Sequence, residues 1–160
     1  MIRGEPIHTL TEMVLPAEQL TPPSQTSQRL ILHGACFYIQ NEARVRGKDE
    51  IDLAVDPPPD LVIEIDITSP SLNKFPIYAR IGVPEVWRYD GRQMQMFALA
   101  TGEYVHIEQS TVFPRLSSAL ATHFLEESTK LRSTTWLRRV REWARTQRKT
   151  SRRTKKRTAH

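Results

Sequence analysis

The chain has 160 residues, 39% of them apolar, and a formal net charge of +5, which suits one compact core rather than two. No apolar run approaches the ~20 residues needed to span a bilayer, and Met1 to Leu10 lacks a basic-then-apolar secretory layout, so the expectation is a cytoplasmic protein with no membrane partner. The single cysteine, Cys36, excludes an internal disulfide; in the apolar run Cys36-Phe37-Tyr38-Ile39 it reads as a small buried thiol with no chemistry.

The charge is unevenly spread. Residues 130–160 carry 13 Lys/Arg against Glu142 alone, a charge of +12, which leaves −7 on residues 1–129. Cations gathered at one end of an acidic body suit a phosphate-bearing partner. A solvated tail reads equally well for Gln147 to His160, which have almost no apolar residue to offset the entropy of ordering.

In chain order, residues 1–29, with Pro16, Pro22 and Pro23, read as a weakly ordered lead-in, with a short helix able to start over Thr9 to Glu12. Leu30 to Leu32 and Cys36 to Gln40 read as one strand or two, interrupted at Gly34, and Asn41 to Asp52 as a turn. After Pro57-Pro58-Pro59 comes the strand Leu61 to Thr68. Its alternation puts Leu61, Ile63, Ile65 and Ile67 on one face and Val62, Glu64, Asp66 and Thr68 on the other. A helix over Lys74 to Ile81 follows, with Asn73 as N-cap and Gly82 as its stop. Val86 to Tyr89 and Met94 to Leu99 form a hairpin about Asp90-Gly91, Tyr104 to Glu108 add a strand, and two helices carry Leu116, Leu120 and Phe124, then Trp136, Val140 and Trp143. The fold class is α+β, and the domains read as 1–29 lead-in, 30–145 core and 146–160 basic disordered tail.

Two carboxylates on one strand face, Glu64 and Asp66, need a reason to stand side by side, because adjacent like charges repel unless a cation intervenes. Mg²⁺ suits such a pair, taking one or two carboxylates and keeping its other positions for water or phosphate oxygens. A merely solvated polar face explains the spacing just as well. Lys74, opening the next helix, is placed to return its ammonium towards Glu64 and hold water or a phosphate, or to be solvated. There is no GK[ST] phosphate loop, no GxSxG turn and no zinc-spaced Cys/His set, and His8, His33, His106, His123 and His160 are scattered.

The blocks CFYIQNEARVRGK, DLAVDPPPDLVIEIDITSPSLNKFPIYARIGVPEVWRYDG and FPRL, with the helix WLRRVREW, carry a resemblance from Cys36 to about Arg145. In them the chain resembles the Uma family of restriction endonucleases, a branch of the PD-(D/E)XK nucleases. The resemblance implies a restriction-endonuclease-like mixed sheet flanked by helices, with the N-terminal part incomplete, and a DNA endonuclease using Mg²⁺ or Mn²⁺. By the resemblance, Glu64 falls on the family's strand acid, which implies a catalytic residue and metal ligand there. Lys74, four before Tyr78, replaces the motif lysine, while Asp66 occupies the usual lysine position as an auxiliary ligand. The first acidic ligand of the family falls on Gly34 and its proline on His33, so the resemblance also implies impaired catalysis. Asp52, Asp56 and Asp60 are the candidate replacements, although Asp60 stands ~13 Å from Glu64 along an extended strand. Homodimerisation is implied by analogy alone. Two further readings stay open: a noncatalytic remnant binding nucleic acid or a partner through the basic C-terminal segment, and a nonfunctional fragment.

Overall fold

The computed structural model describes residues 8–15, 28–67 and 74–157. Six strands form one mixed sheet in sequence order: β1 (His8–Leu15), β2 (Gln28–Tyr38), β3 (Leu61–Ile65), β4 (Glu85–Tyr89), β5 (Met94–Ala100) and β6 (Glu103–Ile107). Every neighbouring pair is antiparallel except β3 and β4. Their parallel run requires a crossover, and α2 (Phe75–Ile81) supplies it. The α+β class, a mixed sheet flanked by helices, is the architecture expected from the sequence.

The period-2 alternation of β2, β3 and β4 decides what each face of the sheet buries. Cys36, Val62 and Val86 point to one side and pack with Tyr78, Ile81 and Val83 of the α2 unit. Their neighbours Phe37, Leu61, Ile63 and Trp87 point to the other, where Met94, Met96 and Ala121 close a second cluster. Ala121 belongs to α3 (Ser118–Lys130), whose N-cap Ser117 accepts a hydrogen bond from the Leu120 amide. α4 (Ser133–Arg157) doubles back on α3. Trp136 Nε1 donates to the Phe124 carbonyl at 2.7 Å, the rings of Phe124 and Trp143 lie 5.5 Å apart, and Arg139 pairs with Glu127. No described helix is long and apolar enough to cross a membrane.

Four local expectations change. Thr9 to Glu12 lie in strand β1, not at a helix start, because the long β2 offers them a partner that no local pattern reveals. β2 runs unbroken through Gly34. The polar stretch after it contains a short helix, α1 (Glu42–Val45), with Val45 buried against Tyr38 and Ile51, and Glu42 bridged to Arg46 at 2.6 Å. α4 continues to Arg157, so helical backbone reaches into residues expected as a disordered tail. Strand β3 ends at Ile65, and Thr68 and Asn73 lie outside the described residues.

Candidate functional site

Glu64 stands near the end of a central strand with only 4% of its surface exposed. In the sheet its flanking partners are Gly34 on β2 and Arg88 on β4. A carboxylate taken this far out of water needs compensation, and α2 delivers part of it. Lys74 is the N-cap residue of that helix, and Pro76 in its first turn suits a helix start. The Lys74 ammonium lies 3.3 Å from Glu64 Oε1. One turn later, Tyr78 donates its hydroxyl to the same oxygen at 2.8 Å. Gly82, at φ 82°, then ends the helix in the left-handed conformation glycine adopts freely and returns the chain to β4.

The second carboxylate oxygen is treated differently. Arg88 Nη2 pairs with it at 3.7 Å, beyond hydrogen-bond reach. Glu64 Oε2 and Arg88 Nε are both buried without a hydrogen-bond partner. The guanidinium also lies over the Phe75 ring, 4.4 Å from its centroid. Burial, then the negative charge of Glu64 and the hydrogen bond to it, push the Tyr78 phenol well above its ordinary range, so the hydroxyl is a fixed neutral donor. Burial and then the Glu64 charge push the Cys36 thiol up to about 12, which agrees with its reading as an unreactive core residue.

The other acids have partners of their own. Asp66 follows the end of β3, half-buried, and its amide continues the ladder with a 2.8 Å bond to the Tyr89 carbonyl. Asp60 is buried at the head of β3, where its carboxylate accepts from the amides of Ile39, Gln40 and Asn41 at 2.6, 2.8 and 3.1 Å and from the Asn41 side chain at 3.0 Å. Asp56 pairs with Lys48 and accepts from the Asp52 amide, while Asp52 accepts from Ala54. All three are engaged in the segment between β2 and β3. Among the described residues, no three His, Cys, Asp or Glu side chains converge in a metal-holding group. The donor set therefore fits a divalent cation at one point, the orphaned Glu64 Oε2, with Asp66 two residues along the chain and Gly34 opposite.

Of the residues singled out from sequence, the fold brings Glu64, Lys74 and Tyr78 into contact. Arg88 was missed. Its signal was the one charge in Val86-Trp87-Arg88-Tyr89, but which strand it faces depends on the parallel register of β3 and β4.

No curated protein and no solved structure matches the chain. The profile of the family Uma2, described as "Putative restriction endonuclease", matches residues 35–131. That match covers more than half of the sequence and contains Glu64, Lys74, Tyr78 and Arg88, and the chain belongs to the Uma2 family.

Proposed function

We propose that the protein is a metal-dependent DNA endonuclease whose centre is Glu64, weakened by glycine at position 34. The observation that carries this reading is the convergence of Lys74 and Tyr78 on one oxygen of a buried glutamate while the other oxygen stays unpartnered. Glu64 Oε2 and Asp66 would hold Mg²⁺ or Mn²⁺, which supplies an activated water and stabilises charge on the leaving oxygen of a phosphodiester. Tyr78 fixes the carboxylate through Oε1. Lys74 orients the attacking water or a phosphate oxygen. Gly34 is the direct cross-strand partner of Glu64, and such pairs put β-carbons ~5 Å apart, so an acid there would complete the ligand set that glycine leaves open.

The test is nicking of supercoiled plasmid with Mg²⁺ or Mn²⁺, with EDTA and Glu64→Ala in parallel. Nicking that needs metal and disappears with Glu64→Ala is expected. Absence of nicking by folded protein that still binds DNA would instead favour a noncatalytic DNA-binding remnant.

That second reading rests on α4. Its 25 residues extend ~37 Å at 1.5 Å per residue and carry 11 Lys/Arg against one acid. The two tryptophans of its first half, Trp136 and Trp143, are engaged with α3, while exposed arginines such as Arg138, Arg141 and Arg145 are free to meet phosphates. Replacing those three with Gln should lower the slope of log affinity against log salt by about 0.9 for each lost phosphate contact. A homodimer, which would allow cutting of both strands, is proposed by analogy and is read from sedimentation equilibrium.

A further inference from the structure

Glu64 is neutralised twice over. Lys74 lies beside Oε1 and Arg88 beside Oε2, so the carboxylate and its two nearest cations sum to a formal charge of +1 before anything else enters. A divalent cation gains least from an environment that is already positive. The two cations are not held alike. Lys74 shares its oxygen with a hydrogen-bonded tyrosine and has 14% of its side chain exposed. Arg88 is 25% exposed, lies 0.4 Å farther from its oxygen, makes no hydrogen bond to it, and leaves both Glu64 Oε2 and its own Nε unpartnered in a buried setting. An unpartnered buried acceptor facing an unpartnered buried donor is costly. A metal and a phosphate together would resolve both, the cation meeting Oε2 and a phosphate oxygen meeting Nε, for which the planar guanidinium is well shaped.

We propose that Arg88 is the phosphate-binding residue of the Glu64 centre and holds that glutamate as its counter-ion until a DNA phosphodiester draws the guanidinium away. Cation and DNA then bind cooperatively, and Arg88 couples them. The stack on Phe75 keeps the guanidinium above the site and limits the ordering needed when it transfers. Because coupling between two ligands is reciprocal, DNA tightens metal binding by the factor by which metal tightens DNA binding. The inference rests on the metal-dependent reading of Glu64 above, and the experiment separates the two.

Mn²⁺ binding is followed by the electron paramagnetic resonance of the free ion, with and without a short DNA duplex, for the wild type, Arg88→Gln, Arg88→Lys, Gly34→Asp and the Gly34→Asp/Arg88→Gln double variant. Removing a unit positive charge so close to the ligand oxygen should tighten Mn²⁺ binding by about tenfold or more in Arg88→Gln without DNA. The wild type should gain affinity when the duplex is added, and Arg88→Gln should not. Arg88→Lys keeps the charge but not the fork, so it should bind Mn²⁺ as weakly as the wild type and lose most of the gain from DNA. Equal or weaker Mn²⁺ binding by Arg88→Gln overturns the proposal. If Arg88→Gln does not fold, Arg88→Lys decides, and a DNA-driven gain equal to the wild type's overturns it. Tight binding by Gly34→Asp that the double variant does not improve removes the role of Arg88 alone. No Mn²⁺ binding by any protein, with or without DNA, removes the metal centre and the proposal with it.

Discussion

Two buried glutamates sit on neighbouring strands and use their charge in opposite ways. Glu85, at the head of β4, is fully buried and saturated: one oxygen takes Trp87 Nε1 at 2.5 Å, and the other takes the Thr111 hydroxyl and the amides of Thr111 and Val112 at 2.7 and 3.1 Å. It ties the loop before α3 to the sheet. Glu64 is almost as deeply buried but has one hydrogen bond, two ion pairs and an orphaned oxygen. Asp60, with four donors, behaves like Glu85. Burial alone therefore does not mark a site in this fold. Incomplete satisfaction of its buried charge is what sets Glu64 apart, because a structure gains nothing from leaving such an oxygen without a donor.

The sharpest way to break that distinction is Glu85→Gln. The amide group would face donors where the carboxylate accepted, stranding at least one buried N–H, and each such loss costs about 1–3 kcal/mol. A destabilisation of about 3 kcal/mol by urea denaturation, with unchanged Mn²⁺ and DNA binding, is expected. A change below about 1 kcal/mol, or any loss of metal binding, would remove the contrast.

Gly34→Asp acts at the other glutamate. The new carboxylate would stand across the strand from Glu64 and supply a further ligand. Metal-dependent nicking should rise about 100-fold, ~2.7 kcal/mol of barrier, and Glu64→Ala should erase the gain. Without metal the added acid places like charges side by side, so stability should fall in EDTA and recover with Mn²⁺. No recovery would mean that position 34 does not share a cation with Glu64.

The same contrast explains what was legible in the sequence. β3, the hairpin of β4 and β5, and the stop at Gly82 were readable because alternation and turn chemistry are local. So were Glu64, Lys74 and Tyr78, once the resemblance placed them on one strand and one helix. Arg88 was not, since only the parallel register of β3 and β4 brings it to Glu64. Nor was the clamp at Glu85, whose loop donors Thr111 and Val112 lie 26 and 27 residues away. Asp60, which the extended strand already puts ~13 Å from Glu64, is used in the turn into α1. β1 was misread for the same reason as Arg88: pairing with a distant strand overrides weak local preference.

Lys74→Met separates positioning from charge balance. In the Gly34→Asp protein, where the faster expected turnover widens the range, losing the ammonium should slow nicking about tenfold, ~1.4 kcal/mol, with DNA affinity changed much less. A matching loss of DNA affinity would make Lys74 a phosphate anchor rather than a group acting on the attacking water.

The smallest effect belongs to Tyr78→Phe. It removes the hydroxyl 2.8 Å from Glu64 Oε1 and leaves the ring in the core beside Val62 and Val86. Lys74 remains near that oxygen, so the loss is one hydrogen bond to a charged acceptor without an abandoned charge, and about 1–2 kcal/mol of stability should go. Mn²⁺ affinity should change by less than about threefold, a difference under ~0.7 kcal/mol, because the ligand oxygen is Oε2 and the tyrosine holds the other one. A change of tenfold or more would mean that freeing Oε1 lets the carboxylate turn, and that Tyr78 decides which oxygen the cation meets.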